Sequence, residues 1–449
     1  MLRPTIVDCL AERSCRRALT AIASRLRRGL AVLLVLPACA LASTAFAAPV
    51  EPVLSLAVKE KPALLETLRE LVSIESDSRN REGLDHIADL LARRLGELGG
   101  AVEFIEPEAD VYKMDDTPEK LGKVVRATFT GTGAKKLLLL AHMDTVYPKG
   151  TLAKQPFRIE GNKAYGLGIA DDKQGLALIL HTISMLKALN FTQYGMLTVL
   201  FNGDEEISTP GSRALITKLG SQHDVVFSAE ASREDSDKLA LATAGIASVT
   251  LTVHGRASHA GAAPERGVNA LIELAHQIIQ TRDLSEPEIG LKMNWTLALA
   301  GTNRNVIPET AKAIADVRVL RVADYDRIEQ KVRERFEKQL VPNAKLEVLF
   351  ERRRPPLEAT AASRAMGRHA QQIYRELGKE LVIDEVAEGG GTDAAFAALS
   401  TAAPVLERFG LRGFGAHSAF SEYVLIDSIE PRLYLLARLI MDVSSGKAP

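Results

Sequence analysis

The sequence predicts an α/β protein, a doubly wound and mostly parallel sheet into which a ferredoxin-like βαββαβ domain is inserted. In the first half of the chain, short apolar runs alternate with segments of helical periodicity, which is typical of parallel strands joined by helices. From about residue 243 the order changes to β-α-β-β-α-β, the order of the split unit. We therefore expect a larger domain at 48–242 and 355–449, an inserted smaller domain at 243–354, and a leader at 1–47.

The leader has the features of a secretory signal peptide. Three arginines at 25–28 precede an apolar run at 30–41, and Ala45-Phe46-Ala47 supplies a small-x-small cleavage pattern. The apolar run is too short to span a membrane. The stretch Leu36-Pro37-Ala38-Cys39 faintly resembles a lipoprotein acylation site, although its proline makes it a poor match. We expect a periplasmic or secreted protein with no membrane attachment after cleavage.

The composition limits the classes of function and the chemistry of any metal site. The chain has 449 residues, 46% hydrophobic and 25% charged, with a formal net charge of -1. This is an ordinary globular composition and gives no support for nucleic-acid binding. All three cysteines, Cys9, Cys15 and Cys39, lie in the leader. The mature chain therefore forms no disulfide, and any metal ion in it must be held by His, Asp and Glu.

Each secondary-structure element is assigned from its hydrophobic period. Apolar residues such as Leu84, Ile87 and Leu91 form one face of a helix, whereas the continuous run Leu137–Leu140 suits a strand buried on both sides. The same criteria predict helices at 58–73, 82–98 and 361–378, and strands at 101–105, 124–129, 196–201 and 225–228. In the inserted domain they predict strand 247–253, helix 267–281, strands 294–299 and 310–319, helix 325–339 and strand 344–350.

The first candidate site lies where the strand at Leu137–Leu140 ends. His142 and Asp144 are two residues apart, so their side chains point the same way on an extended backbone. Asp171 and Asp172 then open a segment with helical spacing. A His-x-Asp strand end followed by an Asp pair is typical of a metal site built from imidazole and carboxylates. Alternatively, one of the aspartates is only a helix N-cap, and His142 is only a hydrogen-bonded strand end.

Further acids and a histidine follow other strands. Ligands of open α/β sheets bind beyond the carboxyl ends of the strands, so polar residues placed there are site candidates. The candidates are Glu205 and Glu206 after the strand at 196–201, Glu230 after the strand at 225–228, and His417 in a glycine-rich loop. Taken alone, two adjacent glutamates after a buried strand are more often a solvated acidic turn than a site.

Counting strand ends gives more ligands than one tetrahedral ion uses. The possible ligands are His142, Asp171, Glu206, Glu230 and His417. Five nitrogen and oxygen ligands fit two ions that share a bridging carboxylate, about 3.5–4 Å apart. Asp144 and Glu205 are then left over. A spare glutamate beside the metal suits a general base, and a spare aspartate can accept the other ring N–H of a ligating histidine.

These residues, in this order, resemble the motifs of the di-zinc metallopeptidases that include aminoacylases, dipeptidases and glutamate carboxypeptidases. The resemblance covers essentially the whole mature chain, and the inserted domain is similar to that family's lid and dimerisation domain. Stretches such as HMDTVYPKGTLAKQPF, GRASHAGAAPERGVNAL and GGGTDAAFAALS are most similar to the carboxypeptidase G type, secreted bacterial enzymes active on folates.

The resemblance implies two Zn²⁺ per chain and a role for each ligand. His142 and Glu230 would complete one zinc site, and Glu206 and His417 would complete the other. Asp171 would bridge the two ions.

The resemblance also implies the catalytic residues. Glu205 would be the general base and proton shuttle, Asp144 would orient His142, and a cis peptide would join Asp171 to Asp172. His259 would reach the active site of the partner subunit in a homodimer and help to stabilise the oxyanion, unless its role is only structural.

Substrate binding is implied for a second set of residues. Arg318 would bind the α-carboxylate of the substrate, although its alternating strand also allows a surface role. The same pocket would contain Asn305, the backbone at Gly391 and Thr392, and, as a weaker candidate for the glutamate side chain, Lys238. Glu388 departs from this pattern, because it adds a negative charge beside the proposed anion pocket and puts the side-chain preference in doubt.

Together these features predict an exported, homodimeric, two-zinc exopeptidase that removes a C-terminal amino acid, with glutamate as the first expectation. The substrate would be a small peptide or an N-acyl amino acid, with no nucleic acid involved. One alternative is an aminoacylase or dipeptidase with another side-chain preference. Another is a periplasmic binding protein that kept the fold and lost catalysis. Glu205 argues against the binding protein, because a binder has no use for an uncoordinated base beside the metals.

Overall fold

The computed structural model describes residues 48–107, 111–418 and 421–449, so the predicted signal peptide at 1–47 lies outside the described residues. The α-helices are α1 (Glu51–Val72), α2 (Arg81–Glu97), α3 (Gln174–Ala188), α4 (Arg213–Gln222), α5 (Ala270–Gln280), α6 (Asp324–Phe336), α7 (Ala361–Glu376), α8 (Ala394–Ala398) and α9 (Ile429–Ser444).

The strands range from two to ten residues. They are β1 (Ala101–Ile105), β2 (Val124–Thr130), β3 (Lys136–His142), β4 (Arg158–Glu160), β5 (Lys163–Tyr165), β6 (Met196–Asn202), β7 (Val225–Ser228), β8 (Ser232–Arg233), β9 (Lys238–Ala240), β10 (Gly245–His254), β11 (Lys292–Ala300), β12 (Thr310–Val319), β13 (Lys345–Arg354), β14 (Val382–Asp384), β15 (Val405–Leu406), β16 (Arg412–Phe414) and β17 (Tyr423–Leu425).

The larger sheet has the strand order β1-β2-β6-β3-β7-β15. β3 is parallel to β6 and β7, and β15 is parallel to β7, while β1 and β2 pair antiparallel at one edge. Leu137 and Leu139 of β3 join one apolar core with α1, α2, α3, α7 and α9, whereas Leu138 and Leu140 join another with α4 and α8. Because successive side chains of a strand face opposite ways, helices cover both faces of the sheet.

A second sheet has the order β11-β12-β10-β13, and its neighbouring strands are antiparallel. The chain runs β10-α5-β11-β12-α6-β13, which is the predicted split order. Val249, Val317 and Ile328 belong to an apolar cluster of its own, formed between this sheet and helices α5 and α6. The predicted fold class is confirmed. The domain boundaries at 242/243 and 354/355 stay a prediction.

Among the departures from the predicted elements, two concern the start of α1 and the smaller sheets. Helix α1 begins at Glu51 rather than at residue 58, and Val53 and Ala57 in its added turns are fully buried. Pro52 does not prevent this, because the first turn of a helix does not use its N–H groups. Two further sheets were not predicted, a five-stranded one (β4-β5-β17-β16-β8) and the pair β9/β14. Their strands have two or three residues, too few to show a period.

The five-stranded sheet matters for the site. β16 and β17 are antiparallel, and the loop between them carries His417. Within the part of the chain that the structure describes, no helix is both long enough and apolar enough to cross a bilayer.

Candidate active site

Three adjacent parallel strands bring the predicted ligands together. β3 ends at His142, the end of β6 is followed by Glu205 and Glu206, and the end of β7 is followed by Glu230. Since β6, β3 and β7 are neighbours and run in the same direction, their carboxyl ends meet at one edge of the sheet. A cavity of about 660 Å³ opens there, and His417 reaches it from the β16–β17 loop.

One group of side chains has the spacing of metal ligands around His142. Its Nε2 lies 3.0 Å from Oδ1 of Asp171 and 3.5 Å from Oε1 of Glu230. Ligands bound tetrahedrally at about 2.0–2.2 Å lie roughly 3.3–3.6 Å from one another. The distance to Glu230 falls in this range, and the distance to Asp171 is slightly shorter than it. The donor set of imidazole nitrogen and carboxylate oxygen fits zinc.

A second group shares Asp171 with the first. Nε2 of His417 lies 3.3 Å from Oδ2 of Asp171 and 3.2 Å from Oε2 of Glu206. Asp171 thus presents one oxygen to each group, as a bridging carboxylate would. Oε1 of Glu206 is buried without a hydrogen-bond partner in the described part of the chain, an arrangement that a bound cation would relieve. The residues present therefore fit two divalent ions.

The charges and pKa values of the two ligand groups favour the binding of cations. Burial, together with the nearby Asp171 carboxylate, raises the pKa of Glu206 to about 7. Burial also works to raise the pKa of Asp171, but hydrogen bonds from His142 and His417 outweigh it and lower that pKa. The carboxylates Asp171 and Glu206 raise the pKa of His417 to about 11. Protons and imidazoles thus offset the crowded negative charge, and metal binding would release those protons.

Asp144 fixes the geometry behind the ligands. Nδ1 of His142 lies 3.0 Å from the backbone carbonyl of Asp144 and 3.3 Å from its Oδ1. The buried carboxylate of Asp144 accepts hydrogen bonds from Oγ of Ser78 at 2.7 Å and from the backbone N–H groups of Glu205 at 3.1 Å and Glu206 at 3.0 Å. Asp144 thus contacts His142 mainly through its backbone carbonyl, while its carboxylate fixes the loop that carries both glutamates. The role predicted for the carboxylate in orienting His142 stays a prediction.

The Asp171–Asp172 peptide bond is cis, as the resemblance implied. The alternative that an aspartate caps a helix is wrong. Helix α3 begins at Gln174, and the residue at its N-cap position, Lys173, makes no side-chain capping bond. Asp172 instead accepts a hydrogen bond from Nε2 of Gln174 at 2.6 Å.

Arg354, a buried residue at the end of β13, was not predicted from the sequence. Its guanidinium forms an ion pair with the carboxylate of Glu205 and donates to the backbone carbonyl of the same residue. Burial raises the pKa of Glu205, and Arg354 acts in the opposite direction. Arg352, Arg353 and Arg354 follow one another in the sequence, so nothing there marks the third of them as the partner of Glu205.

Two buried glutamates were also missed. Glu422 accepts hydrogen bonds from the backbone N–H groups of Gly168 at 2.9 Å, Ala170 at 2.8 Å and Asp171 at 3.0 Å, and so holds the bridging residue in place. Glu407 follows β15 and lines the cavity, and burial together with Glu230 raises its pKa to about 7. The strand-end rule would have found Glu407, but β15 has only two residues and was not recognised.

The other predicted site residues divide into those that line the cavity and those that do not. Arg318, Gly391 and Thr392 line the same cavity as the candidate ligands. His259 and Asn305 are exposed on the inserted part of the chain and are not among the residues that line the cavity. Lys238 lies 3.4 Å from Glu388, on the side of the cavity that Arg233 lines. The roles predicted for these residues stay predictions.

A doubly wound sheet whose strand ends gather imidazoles and carboxylates around a cavity is the arrangement of a metallohydrolase. The chain belongs to peptidase family M20/M25/M40, whose model matches residues 138–442. The similarity predicted from the motifs is therefore confirmed.

Individual relatives agree with this membership. The chain is 44% identical over 418 residues to carboxypeptidase G2 of Pseudomonas sp. (strain RS-16), covering 93% of this chain and 98% of that protein. It is 33% identical over 234 residues to acetylornithine deacetylase of Klebsiella pneumoniae (strain 342), covering 50% of this chain and 57% of that protein. Among solved structures, a dinuclear metal-binding M20 peptidase of Bacillus subtilis matches with a TM-score of 0.61 at 16% identity, over 86% of this chain and 99% of that one.

The predicted enzyme class, a metallo-carboxypeptidase that hydrolyses peptide or amide bonds, is thereby confirmed. The described residues also contain two groups that could hold a metal ion. One of them places Glu205 with His142 and Glu230, so geometry alone allows Glu205 to be a ligand as well as a base.

We expect the mature protein to bind two divalent ions per chain, because Asp171 presents one oxygen to each group. Elemental analysis of the purified protein measures the ratio, and a chelator should abolish activity. His417→Gln should lose metal, whereas the control His369→Gln should keep both ions, because that imidazole contacts Asp442 outside the cavity. Active enzyme with one ion or none would contradict the bridging role of Asp171.

The two adjacent glutamates should respond differently to the same change. Glu205→Gln should keep both ions and lose activity by the roughly 10²–10⁴-fold typical of general acid–base catalysis. Glu206→Gln should lose metal, because Oε2 of Glu206 faces His417. Metal content and turnover, measured on both variants, separate a base from a ligand. Loss of an ion from Glu205→Gln would make Glu205 a ligand.

Proposed function

We propose that this protein is an exported, homodimeric, two-zinc carboxypeptidase that releases a C-terminal amino acid, glutamate above all, from N-acyl or peptidyl donors that include folate-like ones. The observation that carries the proposal is that Arg318 lines the same cavity as every member of the two candidate metal groups except the buried His142. The 44% identity to carboxypeptidase G2 supports the choice of glutamate. The signal-peptide pattern in the sequence supports export.

The reaction assigns distinct tasks to the residues of the chain. Bound divalent ions would supply Lewis-acid polarisation of the scissile carbonyl and lower the pKa of the attacking water. Glu205 takes the proton of that water and passes it to the leaving amine, for which a raised pKa is suitable. Arg354 and the carboxylate of Asp144, which accepts from the backbone N–H of Glu205, hold Glu205 in place.

Arg318 is held in a fixed orientation at the cavity. Its Nε and one terminal nitrogen donate to Asp316 at 2.9 and 3.0 Å, and its other terminal nitrogen donates to the carbonyl of Gly389 at 3.0 Å. Gly389 also lines the cavity, so the guanidinium edge that faces it is the edge a substrate carboxylate would meet. A planar fork fixed by Asp316 recognises a carboxylate in one orientation, which a lysine cannot reproduce.

Arg318→Lys should therefore raise KM strongly and also lower kcat, while zinc content stays unchanged. The decisive comparison is an N-acyl-glutamate against its α-amide, with kcat/KM measured for both proteins. The amide should be the poorer substrate of the parent enzyme, and the difference should shrink in the variant. Equal hydrolysis of acid and amide by the parent would refute the carboxylate clamp and the release of a C-terminal residue.

Exposed apolar side chains support a homodimer. β11 is an edge strand, and its Leu297 and Leu299 are 61% and 76% exposed. Ile272 and Ile279 of α5 are 49% and 58% exposed. An exposed apolar edge strand is a site where two chains associate, because burial of such side chains stabilises the assembly.

The hydrogen bonds of His259 leave its Nε2 as the nitrogen that can donate. Its Nδ1 accepts from the backbone N–H groups of Gly261 at 3.2 Å and Ala262 at 3.1 Å. Since a neutral imidazole has one donor and one acceptor nitrogen, Nε2 carries the proton. We place this N–H at the oxyanion in the site of the partner subunit, because His259 does not line the cavity of its own chain.

If His259 acts across the dimer, two inactive variants should complement each other. Mixing His259→Ala chains with Glu205→Gln chains produces mixed dimers in which one site has an intact Glu205 and an intact partner His259. Part of the activity should return, up to half that of the parent per mixed dimer. Subunit exchange is followed separately with labelled chains. Exchange without any recovery of activity would place His259 outside the partner's chemistry.

A second candidate is an aminoacylase with another side-chain preference. The similarity to acetylornithine deacetylase and the acidic Glu388 beside the cavity favour it. A hydrolysis screen over N-acyl amino acids, with zinc and with cobalt, distinguishes the two.

A further inference from the structure

Glu388 lies among three cationic side chains that come from separate segments. Its Oε2 accepts a hydrogen bond from Nε of Arg233 at 2.7 Å and lies 3.7 Å from a terminal nitrogen of Arg408. Its Oε1 accepts from Nζ of Lys238 at 3.4 Å. We call Arg233, Lys238 and Arg408 the cationic cluster.

Two of the three members of the cationic cluster belong to the wall of the active-site cavity. Arg233 and Arg408 line it together with the candidate ligands Glu206 and Glu230. Arg233 comes three residues after Glu230 in the sequence. Glu388 directly precedes the glycines at 389–391, which also line the cavity. A substrate held at the candidate metal site therefore lies in a cavity that two members of the cluster share.

Glu388 supplies much of the negative charge that this cluster meets. Lys238 has a second acidic neighbour, Asp384, at 3.6 Å, whereas the guanidinium of Arg408 otherwise donates to the backbone carbonyl of Ala231 at 3.4 Å. Three cations thus face two carboxylates, of which Glu388 contacts all three. Burial works to raise the pKa of Glu388, but Arg233 and the other cations outweigh it and lower the pKa, so the group is ionised.

We propose that the cationic cluster is a carboxylate-binding subsite and that Glu388 is an internal competitor for it, so that an acidic substrate side chain binds only by displacing Glu388. The proposal rests on the proposed carboxypeptidase function and makes Glu388 a determinant of specificity. The side chain of Glu388 is 33% exposed, so solvent and substrate reach it.

Competition by Glu388 and a purely structural role of Glu388 predict different effects on substrate preference. If the ion pairs of Glu388 only held the loop in place, their loss would change turnover of all substrates alike. If Glu388 competes, its neutralisation favours a substrate carboxylate over the uncharged amide of the same shape. Glutamate and glutamine as leaving amino acids are such a pair, since they differ in charge and hardly in size.

The experiment compares the zinc-loaded parent with Glu388→Gln on N-benzoyl-glutamate and N-benzoyl-glutamine. The ratio of the two kcat/KM values should rise at least about tenfold in the variant, mostly through KM for the acid. Glu388→Asp keeps the charge and should stay near the parent ratio. Glu385→Gln is the matched control, because Glu385 pairs with Arg364 at 2.7 Å and neither residue lines the cavity.

A second change tests the cluster itself. Arg233→Gln, added to Glu388→Gln, should return the ratio toward the parent value. An unchanged ratio in Glu388→Gln, or an equal change for both substrates, overturns the proposal.

A binding measurement separates this proposal from the proposed function. Calorimetry of free L-glutamate and L-glutamine with the same zinc-loaded proteins needs no turnover. If the parent hydrolyses neither benzoyl substrate, the proposed function fails, and a selective gain of glutamate affinity in Glu388→Gln still supports the subsite. If turnover is normal and neither ratio shifts, only the role of Glu388 fails.

Discussion

The crowding of carboxylates at the ends of β6, β3 and β7 is the constraint on which the rest of the structure depends. Asp171, Glu205, Glu206 and Glu230 lie around two imidazoles in a largely buried place. Buried charges of one sign are tolerated only when paired or coordinated to metal. Two divalent ions would match four carboxylates in charge, and Arg354 adds a further positive charge at Glu205. The same crowding that would destabilise an ordinary core makes this one a metal site.

Holding such groups in place requires a second set of acids, whose partners are backbone N–H groups. Asp144 accepts from the loop after β6, and Glu422 accepts from the turn that leads into Asp171. A carboxylate that accepts several backbone N–H bonds fixes a loop more firmly than apolar contact does, because each bond has a direction. The buried acids Asp144 and Glu422 therefore set the geometry of the loops that carry the ligands.

The sequence predicted the part of the site that depends on local pattern. Apolar runs such as Leu137–Leu140 mark parallel strands, and residues at their ends, such as His142 and Glu230, had to meet at one edge of the sheet. Arg354 could not be predicted, because its partner Glu205 is 149 residues away and the sequence does not show which charged residues pair with each other. Glu422 was missed for another reason, since it borders a strand of three residues whose period cannot be read.

Two of the arginines that line the cavity, Arg318 and Arg354, come from the four-stranded sheet, while Glu205, Glu206 and Glu230 follow strands of the larger one. Arg318 on β12 donates to the carbonyl of Gly389, and Arg354 at the end of β13 pairs with Glu205. One rigid sheet thus carries both the group that would recognise the substrate carboxylate and the group that positions the base. A shift of that sheet would therefore alter recognition and proton transfer together. With both arginines on one sheet and the glutamates on another, the relative position of the two sheets controls substrate recognition and proton transfer at the same time.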